Sequence, residues 1–108
     1  MSLAIKSLAD GQLSATKASI YTVAASTQAI VKKITLVNTE TSTTRAVNLY
    51  FKESGGTSRN IIPVDTALKA GYLLVMDDEV TLEAGDMIEG DAAVASKLDY
   101  VVSGVENA

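Results

Sequence analysis

The run Val47-Asn48-Leu49-Tyr50-Phe51-Lys52 alternates apolar and polar side chains residue by residue, and this period constrains the chain more than any other feature in it. Successive residues of a strand point to opposite faces, so Val47, Leu49 and Phe51 are predicted to be buried and Asn48, Tyr50 and Lys52 to face water. Leu98, Tyr100 and Val102 repeat the habit near the C-terminus. In residues 29–39, Ile30, Ile34 and Leu36 share one parity with Lys32 between them, while Val31 and Val37 take the other. That pattern predicts a central strand buried on much of both faces.

Between such segments lie Asp10-Gly11, residues 38–44, residues 53–58 around Gly55-Gly56, Ala70-Gly71, Ala84-Gly85 and Gly90-Asp91. All are read as turns, because Gly, Asp and Asn accept the backbone angles that turns require. Residues 92–97 are read as loop, and no long amphipathic helix is present in the pattern. The expected fold is therefore all-β: a single-domain antiparallel β-sandwich, jelly-roll-like, of about eight short strands. A chain of 108 residues has room for one domain. Residues 1–19 form an N-terminal strand or arm and residues 20–108 the sandwich. The segment 2–9 is either the first strand or an arm that adds to a neighbouring subunit's sheet edge.

One internal echo stands out. Leu68-Lys69-Ala70-Gly71 and Leu82-Glu83-Ala84-Gly85 share an L-x-A-G pattern, each followed by an apolar pair, Leu73-Leu74 and Met87-Ile88. Both read as a tight turn leading into a strand.

Composition removes most chemistry. The chain has no His and no Cys, so it lacks the commonest general base and the best nucleophile, and it has no thiolate for a metal or a disulfide. No G-x-S-x-G motif supplies a substitute. No enzymatic activity and no cofactor are expected. The start Met1-Ser2-Leu3-Ala4-Ile5-Lys6 does not read as a secretory signal. No run approaches the ~18 apolar residues of a helical span, so no membrane partner is expected. A net charge of -4 opposes nucleic-acid binding.

The charge is also split along the chain. Residues 1–60 carry seven basic side chains against three acidic ones, and residues 61–108 carry two against ten. Either the two signs lie on different faces and favour head-to-tail association, or strands from both halves interleave and the split disappears. Asp77, Asp78 and Glu79 are weak candidates for oxygen ligands of Ca²⁺, without the loop motif that marks such a site. Solvated turn residues are the plainer reading. Gly55-Gly56-Thr57-Ser58 is a hairpin turn rather than a phosphate cradle, since no P-loop Lys follows it. Tyr21, Tyr50, Tyr72 and Tyr100 are the only aromatic residues besides Phe51, and they suit core and sheet positions better than a sugar-stacking platform.

The order of these features resembles a known group. Tyr21-Thr22-Val23, followed by Ala29-Ile30-Val31-Lys32-Lys33-Ile34-Thr35-Leu36-Val37-Asn38-Thr39, is similar to the opening of small β-sandwich structural proteins of tailed bacteriophages. Val47-Asn48-Leu49-Tyr50, Gly56-Thr57-Ser58-Arg59-Asn60-Ile61-Ile62-Pro63, the two L-x-A-G stretches and Val102-Ser103-Gly104-Val105-Glu106 continue the likeness over about residues 20–106. Ala24 and Ser26 stand where that group carries Pro and Gly. The resemblance implies a virion protein assembled in the host bacterial cytoplasm. Its first expectation is a capsid decoration or cement protein outside the head; a tail or neck accessory, or a carbohydrate-binding receptor module of a fibre, is the alternative. It also implies a homo-oligomer, with a trimer expected first, that contacts the major capsid protein or other virion proteins. The predicted interface residues are Leu3, Ile5, Lys32, Lys33, Arg59, Asp77, Asp78 and Glu79.

Overall fold

The computed structural model describes residues 2–108. Its strands are β1 (Leu3–Gln12), β2 (Ala18–Thr22), β3 (Gln28–Asn38), β4 (Arg45–Lys52), β5 (Arg59–Asn60), β6 (Thr66–Leu68), β7 (Leu73–Met76), β8 (Val80–Leu82), β9 (Met87–Ala92) and β10 (Leu98–Asn107). They form two antiparallel sheets. Sheet I runs β1-β10-β3-β7, with β8 also on β3, and sheet II runs β2-β9-β4-β5, with β6 also on β4.

The ten strands reduce to eight units. β7 and β8 pair with successive parts of β3, and β5 and β6 pair with successive parts of β4. Each couple is one strand with an interruption. Pro63, which has no N–H to give a ladder, lies in the gap between β5 and β6. Between β7 and β8, Ile34 faces Met76 and Val31 faces Val80, which leaves one residue too many on the edge strand. Counted as units, the chain is a long hairpin folded over on itself: β4 against β5/β6, β3 against β7/β8, β2 against β9 and β1 against β10. The β10–β3 and β9–β4 ladders close it into a jelly roll. The expected all-β sandwich is thus observed. Its strands are less uniformly short than expected, since β1, β3 and β10 have 10, 11 and 10 residues.

The two L-x-A-G stretches form the same corner. Tyr72 N–H donates to Lys69 O at 3.0 Å and Asp86 N–H to Glu83 O at 2.9 Å, with Gly71 at φ 74° and Gly85 at φ 86° in the third turn position. Glycine there carries the positive φ of a type II turn. Each corner also docks alike: Gly71 N–H donates to Asn38 O and Asn38 N–H to Tyr72 O, as Gly85 N–H does to Val23 O and Val23 N–H to Asp86 O. Ser26 sits at φ 58°, in the left-handed region that glycine adopts most readily.

Several local expectations fail, the first being burial of β3 on both faces, since only its face toward sheet II is fully buried. The shared parity of Ile30, Ile34 and Leu36 is broken because Ser103 faces Lys33 while Gly104 faces Val31, so Lys32 is an extra residue on β3. The bulge shifts the faces: Val31, Ile34 and Leu36 are buried and Ile30 is exposed. Asp10-Gly11 is not a turn but lies inside β1, where a Cβ on Gly11 would come within 3.0 Å of the Tyr100 hydroxyl. Gly90-Asp91 lies inside β9, where a Cβ on Gly90 would meet Leu13 Cδ2 at 2.9 Å. Both glycines mark close packing rather than a bend.

The core lies between the sheets. Val31, Ile34 and Leu36 of β3, Val47 and Leu49 of β4, Leu82, Ile88, Leu98 and Val102 are all fully buried. Along β4 and β10 the inward residues Val47, Leu49, Leu98 and Val102 are buried as the sequence predicts, but Phe51 is only half-buried and Asn48, expected to face water, is buried.

Candidate functional site

The two outer faces of this sandwich differ in chemistry. On sheet II the outward residues Asn48 and Tyr50 of β4 and Glu89 and Asp91 of β9 are polar and hydrogen-bonded within the chain. Asn48 Nδ2 donates to Asp91 Oδ1 at 2.9 Å and to Asp65 Oδ1 at 3.0 Å, and its Oδ1 accepts the Asp65 N–H at 2.8 Å. Tyr50 OH donates to Asp91 Oδ2 at 2.8 Å and Ser58 Oγ to Glu89 Oε1 at 2.5 Å. Lys17 Nζ lies 4.5 Å from the Tyr50 ring centroid. Burial, then the hydrogen bond to Asp91, pushes the Tyr50 hydroxyl up to about 12. This face is hydrogen-bonded within the chain.

The outer face of sheet I carries two apolar patches within a polar frame, in which Asp10 lies beside Val101 and Gln12 Nε2 donates to Asp99 Oδ1 at 2.9 Å. The register places Ile5, Val105 and Ile30 in one row across β1, β10 and β3, and Val101, Thr35 and Val75 in another across β10, β3 and β7. Val37 and Leu73 follow beside the second row. Ile5 is 92% exposed, Leu3 75% and Leu73 60%. Between the two apolar patches run Ser7, Ser103 and the bulged Lys32, which bonds Glu79 across the sheet. Exposed apolar side chains this close together are more than a sheet face that meets only water usually carries.

The patch continues past the edge of sheet II. β1, β3 and β10 are longer than the strands of the opposite sheet, and on β1 not only Leu3 and Ile5 but also Ala4 and Lys6 of the other parity are exposed. At this overhang Lys6 Nζ donates to Glu106 Oε1 at 3.0 Å and Tyr21 OH to Glu106 Oε2 at 2.5 Å. The two bonds tie β1, β10 and β2 together. The Tyr21 hydroxyl and then Lys6 hold the Glu106 carboxyl below its ordinary value, and burial, with Glu106 beside it, raises the Tyr21 hydroxyl well above its own. A lowered carboxyl stabilises the fold above its unfolded value of 4.5 and loses that contribution as pH falls through the lower folded value. Urea midpoints are therefore expected to fall below pH 4.5 more steeply in the natural chain than in Glu106→Gln. Equal acid slopes for the two proteins would remove this role.

The predicted interface residues divide. Leu3, Ile5 and Lys32 lie on the outer face of sheet I, with Glu79 bonded to Lys32, and Lys33 is exposed at the same bulge. Asp77 and Asp78 are exposed in the gap between β7 and β8. Arg59 is on β5 of the other sheet, beside Phe51, Glu53 and Thr57. The charge split folds together at Lys32 and Glu79, where strands from the two halves of the chain are neighbours. Among the described residues no cluster of three or more carboxylates is arranged to hold a metal.

The four tyrosines are dispersed. Tyr21 is buried, Tyr50 lies under Lys17, Tyr100 is half-buried against the core and Tyr72 stands 5.8 Å from the Lys69 ammonium. Ser14 and Lys17 have the S-x-x-K spacing, but Ser14 Oγ donates to Thr16 O at 2.5 Å while Lys17 covers Tyr50. The outward residues missed in the sequence are Val101, Val105, Leu73 and Val75. Their signal was available: β7 and the middle of β10 are apolar at both parities, Leu73-Leu74-Val75-Met76 and Val101-Val102.

The sequence matches no protein-family model and no curated protein. The fold is similar to part of solved virus-particle structures. In the crystal structure of the T13 particle of infectious bursal disease virus the likeness has a TM-score of 0.50 at 9% identity, over 96% of this chain and 30% of that one. For the Gx strain of the same virus the TM-score is 0.48 at 13% identity, over 97% of this chain and 32% of that one. The chain thus spans about a third of the chains it matches. At 9% identity the likeness to the T13 particle is one of fold, and it agrees with the sandwich described above.

Proposed function

We propose that this chain is a structural protein of a virus particle, and more narrowly a decoration protein on the outside of a tailed-phage head. It works by holding surface against surface and catalyses no reaction. The observation that carries this reading is the contrast between the two faces of the sandwich. Sheet II is hydrogen-bonded to itself, while sheet I presents Ile5, Ile30, Val101, Val75 and Leu73 to solvent. Water disfavours such a face, and contact with a neighbouring protein relieves the cost.

Two further points support it. The fold resembles a segment of a chain in the T13 virus-particle structure. The net charge of -4 suits the outer surface of a capsid better than an interior packed with nucleic acid. In this reading the outer face of sheet I meets the major capsid protein or a second copy of the chain.

The test is to localise the epitope-tagged protein on purified particles by immunogold electron microscopy. Label on the head surface is the expected result. Label on tails would keep the structural class and overturn the placement, and absence from particles would overturn both.

A further inference from the structure

The edge strand β1 is a site for a second copy of the chain, and the inference rests on the surface-to-surface role proposed above. Ser2 and Ala108 exchange both backbone hydrogen bonds, Ser2 N–H to Ala108 O at 2.8 Å and Ala108 N–H to Ser2 O at 3.1 Å. Opposed residues in an antiparallel ladder alternate between bonded and non-bonded pairs. With Leu3 facing Asn107, Ile5 facing Val105 and Ser7 facing Ser103, these three residues of β1 turn their N–H and C=O groups away from β10. They form an open row of donors and acceptors on a strand whose side chains Leu3 and Ile5 are also exposed.

The other three sheet edges are blunted. β7/β8 is broken at Asp77-Asp78-Glu79, β5/β6 is broken at Pro63, and β2 has five residues with a register shift between Ser19 and Tyr21. Interruptions, charges and proline are the usual protection of a strand edge. β1 has ten residues, and before its bulge at Leu8 it carries none of these except Lys6.

We propose that two copies of the chain join β1 to β1, antiparallel, about a two-fold axis at Ile5, so that two five-stranded sheets become one. In this register Ile5 faces Ile5 of the second copy and Leu3 faces Ser7, so every outward N–H and C=O of the row meets a partner. The apolar row from Ile30 through Val105 to Ile5 then runs unbroken across the axis. Charge also matches. Lys6 of each copy stands opposite Ala4 of the other, and Ala4 is the ladder neighbour of Glu106. The two lysines and two glutamates therefore alternate across the joint with no like charges facing each other. A three-fold ring would require β1 to meet a different edge, and each of those is interrupted or short. The unit of assembly is a dimer rather than the trimer implied by the phage resemblance.

The chain has no Cys, so Ile5→Cys tests the contact directly. Residues that form a bonded pair across an antiparallel ladder have Cα atoms about 5.5 Å apart, within the range a disulfide spans. Mild oxidation of Ile5→Cys is expected to give a linked dimer at least tenfold faster than oxidation of Tyr72→Cys, a control at an exposed site remote from β1. Light scattering of the natural chain should give twice the monomer mass of 11.3 kDa. Ile5→Lys, which changes an exposed side chain and sets two ammonium groups at the axis, should give the monomer with an unchanged circular dichroism spectrum. A monomeric natural chain, a trimer, or equal crosslinking at the two cysteines would overturn the dimer. None of these results would touch placement on a particle, which the immunogold experiment decides separately.

Discussion

Gly104→Ala is expected to destabilise the fold by about 3 kcal/mol or more, at the upper end of what overpacking does. A Cβ built at this position would lie 2.0 Å from the carbonyl oxygen of Ile30 and 3.1 Å from Leu8 Cδ1. The nearer obstacle is backbone, fixed by the β3 bulge that Gly104 faces, so rotation of a side chain does not relieve it. The strand must separate from β3 or give up the bulge. Losing the bulge would exchange the faces of everything on one side of it, returning Val31 to solvent. Leu8→Ala in the same chain should not rescue the variant, because Leu8 is the lesser contact. Gly55→Ala is the scale against which to read it: its φ of 73° is unfavourable to alanine, but nothing lies within 4 Å, so about 1 kcal/mol is expected. Urea unfolding followed by circular dichroism measures all three. A Gly104→Ala midpoint no lower than that of Gly55→Ala would mean that the β3 bulge is not rigid.

Asn38→Ala is the second large effect, about 3 kcal/mol, with a fall in melting temperature of roughly 10–20 °C for a domain of this size. Asn38 is fully buried at the end of β3. Its Nδ2 donates to Thr43 O at 2.8 Å and to Leu68 O at 2.9 Å, and its Oδ1 accepts the Glu40 N–H at 3.0 Å. Its backbone holds the corner at Gly71 and Tyr72 as well. One side chain thus satisfies three backbone groups of the connection from β3 to β4 and of the end of β6. Alanine leaves those groups without partners, and each buried group so stranded costs roughly 1–3 kcal/mol unless water reaches it. Asn38→Asp keeps the acceptor for Glu40 but presents a carboxylate to two carbonyl oxygens. It should be at least as damaging near neutral pH and recover in part on acidification, when a protonated carboxyl can donate one bond again. Tyrosine fluorescence is a suitable probe, since the chain has no Trp. A loss under about 1 kcal/mol for Asn38→Ala would show that this loop is solvated and its carbonyls already satisfied by water.

Much of this molecule follows from local sequence. Alternation at Val47-Leu49-Phe51 and Leu98-Tyr100-Val102 determines those faces because the two-residue period of a strand is a property of the backbone. The two L-x-A-G stretches form identical corners because a glycine at positive φ satisfies a type II turn wherever it occurs. The absence of His and Cys narrows the available chemistry whatever the chain folds into. What escapes the sequence depends on neighbours that are distant along it. Gly11 and Gly90 read as turns but are strand residues pressed against Tyr100 and Leu13. Ile30 is exposed because the bulge at Lys32 is set by the fit of β3 to β10 and to β7/β8, a match no single segment contains. The apolar patches on the outer face of sheet I arise in the same way, since a strand that is apolar on both sides does not say which side will find a partner within its own chain. The pairing of β1 with β10, at opposite ends of the chain, decides that, and it leaves Leu3, Ile5 and one edge of the backbone open.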